Sequence, residues 1–303
     1  MLIEPNIRLS RILRNTWQVD IIMIISCTAA YLVRTVLIRH HFEIPSIIPT
    51  VLGTAIAFFV GFNNNQAYDR WWEARKIWGS LVNDSRSWAR GIISYVSQGK
   101  ADDLQYAIVK KRLVYRQIAF LYALKARLRD AVDETYSQYL EPHEKEEIKL
   151  QSNIANAILM QQSKALQQLE KEGMIDSFRF IEMNQLLVKL CDAMGMTERI
   201  KNTIYPTAYI YFTKAFIWLF VVSLTLVISA FAGVWSIFLG WLVGFVYVST
   251  QINGMSLMNP FDNNSAAVPL NQITRTIEIN LLEMLGETNI PEPVKPINNE
   301  YVL

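Results

Sequence analysis

The chain is poor in the side chains that build metal centres and disulfides. Among its 303 residues it has two cysteines, Cys27 and Cys191, and three histidines. Neither set has the spacing of a metal or redox motif, so we expect no metal site and no cofactor, and we interpret both cysteines as apolar core filling. The charge is also unbiased, because 29 basic and 27 acidic residues give a net charge of +2. Nothing therefore indicates a nucleic-acid partner.

Catalytic signatures are missing as well. The sequence has no GxGxxG, no P-loop and no HExxH motif. It also offers no convergent set of nucleophile, base and orienting group. We therefore expect that the protein is not an enzyme.

Charge is absent from two long stretches. No charged residue occurs between Lys214 and Asp262, or between Glu43 and Asp69. The first stretch is long enough for two membrane-crossing helices of about 20 residues and a tight turn. We predict four spans, at about residues 17–37, 44–62, 209–231 and 234–252. Since 51% of residues are hydrophobic and 18% are charged, part of the chain belongs to a membrane and part to water.

The remaining regions are predicted to be helical. Residues 63–208 show helical spacing and no strand pattern, with a helix that restarts after Pro142 and runs to about residue 170, and another that Asp176 caps. The charged run at 141–149 is interpreted as a solvated face. The predicted organisation is 1–62 with the first two spans, 63–208 as a helical cytosolic region, 209–253 with the last two spans, and 254–303 as a helix and extended tail. The fold class is an all-α membrane protein.

Basic residues predict the orientation of the spans. The loops at 39–43 and 232–236 hold almost nothing basic. The other side of the spans is flanked by Arg8, Arg11, Arg14, Arg70, Arg75 and Lys76. Because basic residues favour the cytoplasmic side, both termini and the middle region are expected in the cytoplasm.

The second span ends in an unusual way. It changes without a break into Asn63, Asn64 and Asn65 and then into a charged, aromatic run that keeps helical spacing. Such a continuation suits a helix that lines a wet path, so membrane transport is the first hypothesis. The alternative is that the asparagines mark a plain transition from helix to loop.

Four stretches spread over almost the whole chain carry a more specific pattern. The first contains Gly61-Phe62, Asn64, Tyr68, Arg70-Trp71-Trp72-Glu73-Ala74-Arg75 and Trp78-Gly79. The second contains Arg116-Gln117-Ile118-Ala119-Phe120, Ala123-Leu124 and Leu128-Arg129. The third and fourth contain Glu198-Arg199-Ile200, Thr203, Pro206, Asn259-Pro260-Phe261, Pro269-Leu270 and Arg275-Thr276-Ile277-Glu278-Ile279-Asn280. In this order and spacing they resemble the prokaryotic members of the bestrophin family.

The resemblance implies a homopentameric ion channel in the plasma membrane of a prokaryote, with four transmembrane helices per subunit and monovalent permeant ions. The second span would line a central pore, and its apolar neck would be Thr54, Phe58 and Phe62. Steps of four residues keep these side chains on one helix face. Thr54 replaces a residue that is commonly apolar in the family, so the upper neck is expected to be wetter.

Alternatives remain open at these positions. Phe58 and Phe62 could instead be core residues between helices. The resemblance also places a cytosolic constriction at Phe178, which could shift to Phe180 or Ile181, or could be a buried phenylalanine. Polar residues next to the pore are Asn63, Asn64 and Asn65. Structural ion pairs around the pore are expected from Asp69, Arg70, Glu73 and Arg75.

Ion preference is weakly marked in the sequence. In animal members of the family, an acidic run that binds Ca²⁺ follows the Asn-Pro-Phe motif. In this chain Asp262 is the only carboxylate directly after Asn259-Pro260-Phe261. One carboxylate is too few to bind a hard cation, so we expect no calcium site here. Phenylalanine edges carry partial positive charge, which favours chloride slightly. The alternatives are a channel for monovalent cations and a non-conducting membrane scaffold or signalling protein.

Overall fold

The structure is a computed structural model that describes residues 9–38, 44–96, 103–297 and 301–302, with side chains described from residue 16 onward. The side chains of Arg8, Arg11 and Arg14, the loop at 39–43 and residues 298–300 and 303 of the predicted tail lie outside the described residues.

The described residues form nine α-helices, with a π-helical turn at Val33–Ile38 and a 3₁₀ turn at Thr135–Tyr139. The first helices are α1 (Leu9–Leu32), α2 (Ile47–Tyr95), α3 (Asp103–Leu128) and α4 (Pro142–Lys149). They are followed by α5 (Ile154–Lys171), α6 (Ser177–Asn202), α7 (Thr207–Ala232), α8 (Trp235–Leu257) and α9 (Leu270–Leu285). The all-helical prediction is confirmed.

Four segments are long and apolar enough to cross a membrane, and the four predicted spans are confirmed. They are Thr16–Leu37, Ile47–Tyr95, Thr207–Ala232 and Trp235–Leu257. The last two are joined by a tight turn at Gly233, whose φ is 55°. A side chain at this position would be strained, because positive φ is readily adopted only by glycine.

The helices belong to two compact units. The first unit comprises the described residues of Glu4–Trp71 and Ile204–Asn259, and the second comprises those of Trp72–Thr203 and Pro260–Leu303. The long helix α2 therefore contributes its first half to one unit and its second half to the other.

The first unit has an apolar core formed by α1, α2, α7 and α8. Its fully or nearly fully buried members are Met23, Cys27, Ile56, Val60, Ile217, Phe220, Val221 and Val248. One carboxylate, that of Asp20, lies inside this unit and accepts hydrogen bonds from Thr16 (2.7 Å) and Trp241 (3.3 Å). These donors offset part of the cost of burying the carboxylate.

Three predictions about the second unit are wrong. The helix expected to run to about residue 170 is divided, because the chain leaves the helix after Lys149 and Asn153 caps α5 by accepting a hydrogen bond from the amide of Asn156. The run at 141–149 is not a fully solvated face, since Glu144 is buried and pairs with Arg116. Cys191 is exposed rather than core filling, whereas Cys27 does lie in the core of the first unit.

Asp176 caps α6 as predicted. Its side chain accepts a hydrogen bond from the amide of Arg179, and the helix extends to Asn202. A helix of this length brings Arg199 within reach of the second half of α2, which bears on the candidate site.

Candidate functional site

The first half of α2 has one face that the first unit leaves uncovered. Thr54 is exposed, Phe58 is 71% exposed and Phe62 is 49% exposed. The rings of Phe58 and Phe62 stack with centroids 6.4 Å apart. The hydroxyl of Thr54 is turned back onto its own helix, where it donates to the carbonyl oxygen of Thr50 (3.0 Å). The uncovered face thus carries Thr54 and, further along α2, the two phenylalanine rings.

The opposite face of the same helix packs into the unit. Ile56 and Val60 are 1% and 4% exposed. At Gly53 a β-carbon would meet the Phe220 ring at 2.9 Å, and the Gly53 carbonyl oxygen accepts a hydrogen bond from Tyr247 (3.1 Å). The alternative that Phe58 and Phe62 fill the core is therefore wrong for this unit, because Ile56 and Val60 occupy that place.

Asn63 points inward rather than along the exposed face. It is 7% exposed, donates to the hydroxyl of Thr213 (3.1 Å) and accepts a hydrogen bond from the hydroxyl of Tyr205 (3.0 Å). Both the nitrogen and the oxygen of its side-chain amide are therefore used, and they join α2 to α7 and to Tyr205, which precedes α7. Tyr205 and Thr213 carry no local sequence signal for this contact, since they lie 142 and 150 residues away in the chain.

The next two asparagines have different surroundings. Asn64 donates to the carbonyl oxygen of Thr250 (3.2 Å) on α8, where Gly254 leaves room for its side chain. Asn65 is exposed and donates to Asp69 (3.4 Å) one turn further along α2. Because α2 continues to Tyr95, the alternative of a helix-to-loop transition at the asparagines is wrong.

The exposed face continues beyond Phe62 with polar side chains. Gln66 is four residues from Phe62 and Asp69 is seven, which is nearly two helical turns, and both are exposed. Gln66 was not among the predicted site residues, although the spacing of four from Phe62 could have indicated it. Asn65, Gln66 and Asp69 are thus the polar groups on this face.

One of the predicted ion-pair residues, Glu73, has a partner outside the predicted set. Glu73 pairs with Arg199 of α6 at 2.6 Å, and both side chains are partly exposed. Asp69 has its hydrogen bond from Asn65. Arg70 is half-buried, and Arg75 lies along its own helix, where its Nη1 atom would be 3.6 Å from a β-carbon at Gly79.

Phe178 lies in the first turn of α6 and is 86% exposed. The alternative that it is a buried phenylalanine is therefore wrong within the subunit. Among the described residues no group of three or more His, Cys, Asp or Glu side chains is placed to hold a metal ion.

These features define a class, namely an all-helical, multi-pass membrane protein with a second helical unit. The particular family follows from comparison with known proteins. The model for bacterial and fungal bestrophin proteins matches residues 6–283. The chain belongs to this family, and the resemblance read from the four stretches is confirmed.

Relatives and solved structures agree with this assignment. A protein of Escherichia coli K12 named voltage-dependent anion channel-forming protein YneE is 29% identical over 248 residues, which is 82% of this chain and 79% of that protein. A similarly named Ralstonia nicotianae protein is 27% identical over 80% of this chain and 78% of its own length. These relatives are named as channel-forming proteins rather than as enzymes, as expected. A crystal structure of a bestrophin homologue from Klebsiella pneumoniae has a TM-score of 0.81 and 25% identity, covering 88% of this chain and 97% of that one.

Proposed function

We propose that the protein forms a homopentameric ion channel in the plasma membrane of a prokaryote, with both termini in the cytoplasm. The central pore follows the exposed face of the first half of α2, and Thr54, Phe58 and Phe62 form its neck. Each subunit contributes one such face, so a closed ring of subunits is needed to enclose a path.

The observation that carries this proposal is the two-sided character of α2. Its Ile56 and Val60 face is covered within the subunit, whereas the Phe58 and Phe62 face is not. In a cyclic assembly, the equivalent phenylalanine rings of every subunit come to the same level and make an apolar constriction, at which a permeating ion faces a dehydration barrier. Lipid is the other environment that could cover these phenylalanine rings. A flux measurement distinguishes rings that line a pore from rings that face lipid.

Anions are the permeant ions that the proposal favours. Relatives that match four fifths of the chain carry the name voltage-dependent anion channel-forming protein. No charged residue lies on α2 between its start at Ile47 and Asp69, so the neck itself holds no carboxylate. Phenylalanine edges directed at a pore would favour an anion.

A specific observation supports monovalent cations as the second candidate. Asp69 is exposed on the same face, seven residues beyond Phe62. If this face lines the pore, symmetry would place a ring of carboxylates about 10 Å along the axis from the Phe62 rings. Such a ring would concentrate cations at the inner mouth of the neck.

Phe178 is proposed as the cytosolic constriction. Its ring is almost entirely uncovered within the subunit, as a residue that meets its symmetry mates would be. Ile181 is also exposed (54%) one turn further along α6, so a constriction at either residue would use the same helix face.

Two measurements test the proposal together. The mass of the detergent-solubilised protein should correspond to five subunits. In planar bilayers under a tenfold KCl gradient, an anion channel shifts the reversal potential towards the chloride equilibrium potential by up to about 59 mV. A shift of opposite sign that Asp69→Asn diminishes would establish the cation channel instead, and Lys76→Gln is the control for a change of charge on α2. A pentamer without current would support the scaffold, and a monomer would refute the pore.

A further inference from the structure

The second unit contains a cavity that has no role in conduction as proposed above. Its volume is about 530 Å³, and it lies between α3, the 3₁₀ turn at Thr135–Tyr139 and α9. This is within the size range of small-molecule sites. Its polar lining consists mainly of Lys125, Arg129, Asp133, Thr135, Asn271 and Arg275.

Two of the three cations in this lining are already neutralised. Lys125 pairs with Asp133 at 2.9 Å. Arg275 pairs with the buried carboxylate of Glu278 at 3.2 Å. Burial opposes ionisation of Asp133, but hydrogen bonds from Thr135 and Lys125 outweigh it and lower the pKa of the carboxyl group. The Lys125–Asp133 pair is therefore ionised at neutral pH.

Arg129 is the exception. Its Nη1 atom donates to the amide oxygen of Asn271 at 3.0 Å. Its Nε and Nη2 atoms are buried and have no hydrogen-bond partner among the residues that the structure describes. No carboxylate of that part of the chain forms an ion pair with it. The guanidinium thus brings an uncompensated positive charge to the cavity wall.

Two other arginines of the same unit show what this edge of a guanidinium can hold. Arg116, on the same helix as Arg129, donates from Nε and Nη2 to Glu144. Arg86 donates from the same two atoms to the amide oxygen of Asn280. Two-point donation of this kind suits carboxylate and phosphate oxygens. Arg129 alone of these three lacks an acceptor at that edge among the described residues.

Leaving the charge in this state is costly. A buried cation without an anion loses hydration and gains no ion pair. In keeping with this, burial lowers the pKa of the Arg129 guanidinium from its ordinary value. The group stays protonated at neutral pH nevertheless. An anion that entered the cavity would remove this cost and would find further donors in Lys125 and Arg275.

We propose that the cavity binds a small phosphate-type oxyanion, either inorganic phosphate or the phosphate group of a small monoester. The several acceptor oxygens of a phosphate match a donor set that includes the guanidinium of Arg129 and the amide nitrogen of Asn271, whose amide oxygen already accepts from Arg129. A tetrahedral dianion satisfies such a set better than chloride, which offers one charge and no directional oxygens.

The test uses the full chain in detergent and measures its melting temperature. Inorganic phosphate and glycerol 3-phosphate are titrated separately against chloride at equal ionic strength, which separates free phosphate from a monoester. Ligand that binds the folded state raises the melting temperature with saturation. Arg129→Gln should raise the ligand concentration that half-saturates this response by roughly tenfold or more. Arg90→Gln, which changes an exposed arginine outside the cavity, should leave it unchanged.

A second variant guards against misfolding of the first. Asn271→Asp places a carboxylate at the atom that already accepts from Arg129. It should raise the melting temperature without phosphate and abolish the phosphate response. The absence of a saturable response above that to chloride at up to about 50 mM of either ligand overturns the proposal. So does an equal response in wild type, Arg129→Gln and Asn271→Asp. Since the readout is stability, a failure here is distinguishable from an absence of ion flux.

Discussion

The double substitution Phe58→Ala, Phe62→Ala separates a pore neck from a helix-packing role in one experiment. Truncating both side chains removes two layers of apolar rings while leaving the backbone of α2 intact. If the rings limit permeation, the constriction widens and fills with water, and ion flux rises. If they hold the subunit together, the assembly weakens instead.

The structure sets the expected size of the stability change. A fully buried Phe→Ala substitution costs about 3–5 kcal/mol. Because Phe58 is 71% exposed and Phe62 is 49% exposed in the subunit, we scale this to roughly 1–2 kcal/mol for each residue. The matched control is Ile56→Ala, Val60→Ala on the opposite face, where the side chains are 1% and 4% exposed. The isoleucine alone should cost about 2–5 kcal/mol.

The assay combines liposome flux with thermal unfolding of the same preparations. The phenylalanine variant should keep its pentameric mass, lose less thermal stability than the control variant and conduct faster than wild type. The control variant should unfold at a lower temperature with no gain in flux per folded pentamer. Two results would refute the reasoning, namely an intact phenylalanine variant with unchanged flux and selectivity, or a variant that unfolds as early as the control.

Three further predictions have defined outcomes. Gly254→Ala should destabilise the protein by about 1–3 kcal/mol, because the new β-carbon would overlap the side chain of Asn64. The control Gly195→Ala should leave the melting temperature equal or higher, since a β-carbon there would have no neighbouring heavy atom within 4 Å. Glu144→Gln leaves the buried guanidinium of Arg116 without its carboxylate partner (the side chains of Arg116 and Glu144 are 7% and 2% exposed), and should lower the free energy of unfolding by about 3 kcal/mol. The control Glu146→Gln, at the surface, should lower it by less than about 1 kcal/mol in the same unfolding assay. Bilayer currents should be equal in chelator and in micromolar Ca²⁺, since a single carboxylate directly follows the Asn-Pro-Phe motif; loss of current in chelator that returns with Ca²⁺ would contradict this.

The spans were predictable because their signal is local. A long, predominantly apolar stretch specifies a crossing helix whatever it packs against, even where it contains Asp20 and Arg34, as the first span does. The turn at Gly233 is marked by its own glycine. The cap at Asp176 was predictable for the same reason, since its acceptor atom and the Arg179 amide are three residues apart. Each of these features is decided by neighbours in the sequence.

The hydrogen-bond partners of the asparagines were not predictable, because these partners lie in distant parts of the chain. Asn63 and Asn64 look alike in sequence, yet their partners lie 150 and 186 residues away. Glu144 shows the same limitation. Its surrounding run is rich in charge, but Arg116 on α3 draws this one carboxylate into the interior. Pattern alone does not reveal which charged residue of a run has a buried partner.

The inward turn of Asn63 and Asn64 affects how selectivity is to be explained. Their amide groups are occupied within the first unit, so they contribute little polarity to the uncovered face of α2. Beyond Phe62 that face carries Asn65, Gln66 and Asp69. If ions follow it, the first full charge that they meet is negative, whereas the ring edges of the neck favour anions. Selectivity would then depend on the balance between a dry neck and a wet carboxylate ring, where water and salt screen the ring more strongly than the neck. For this reason we assign the proposed anion preference to the phenylalanine rings, and expect Asp69 to modulate it most at low ionic strength.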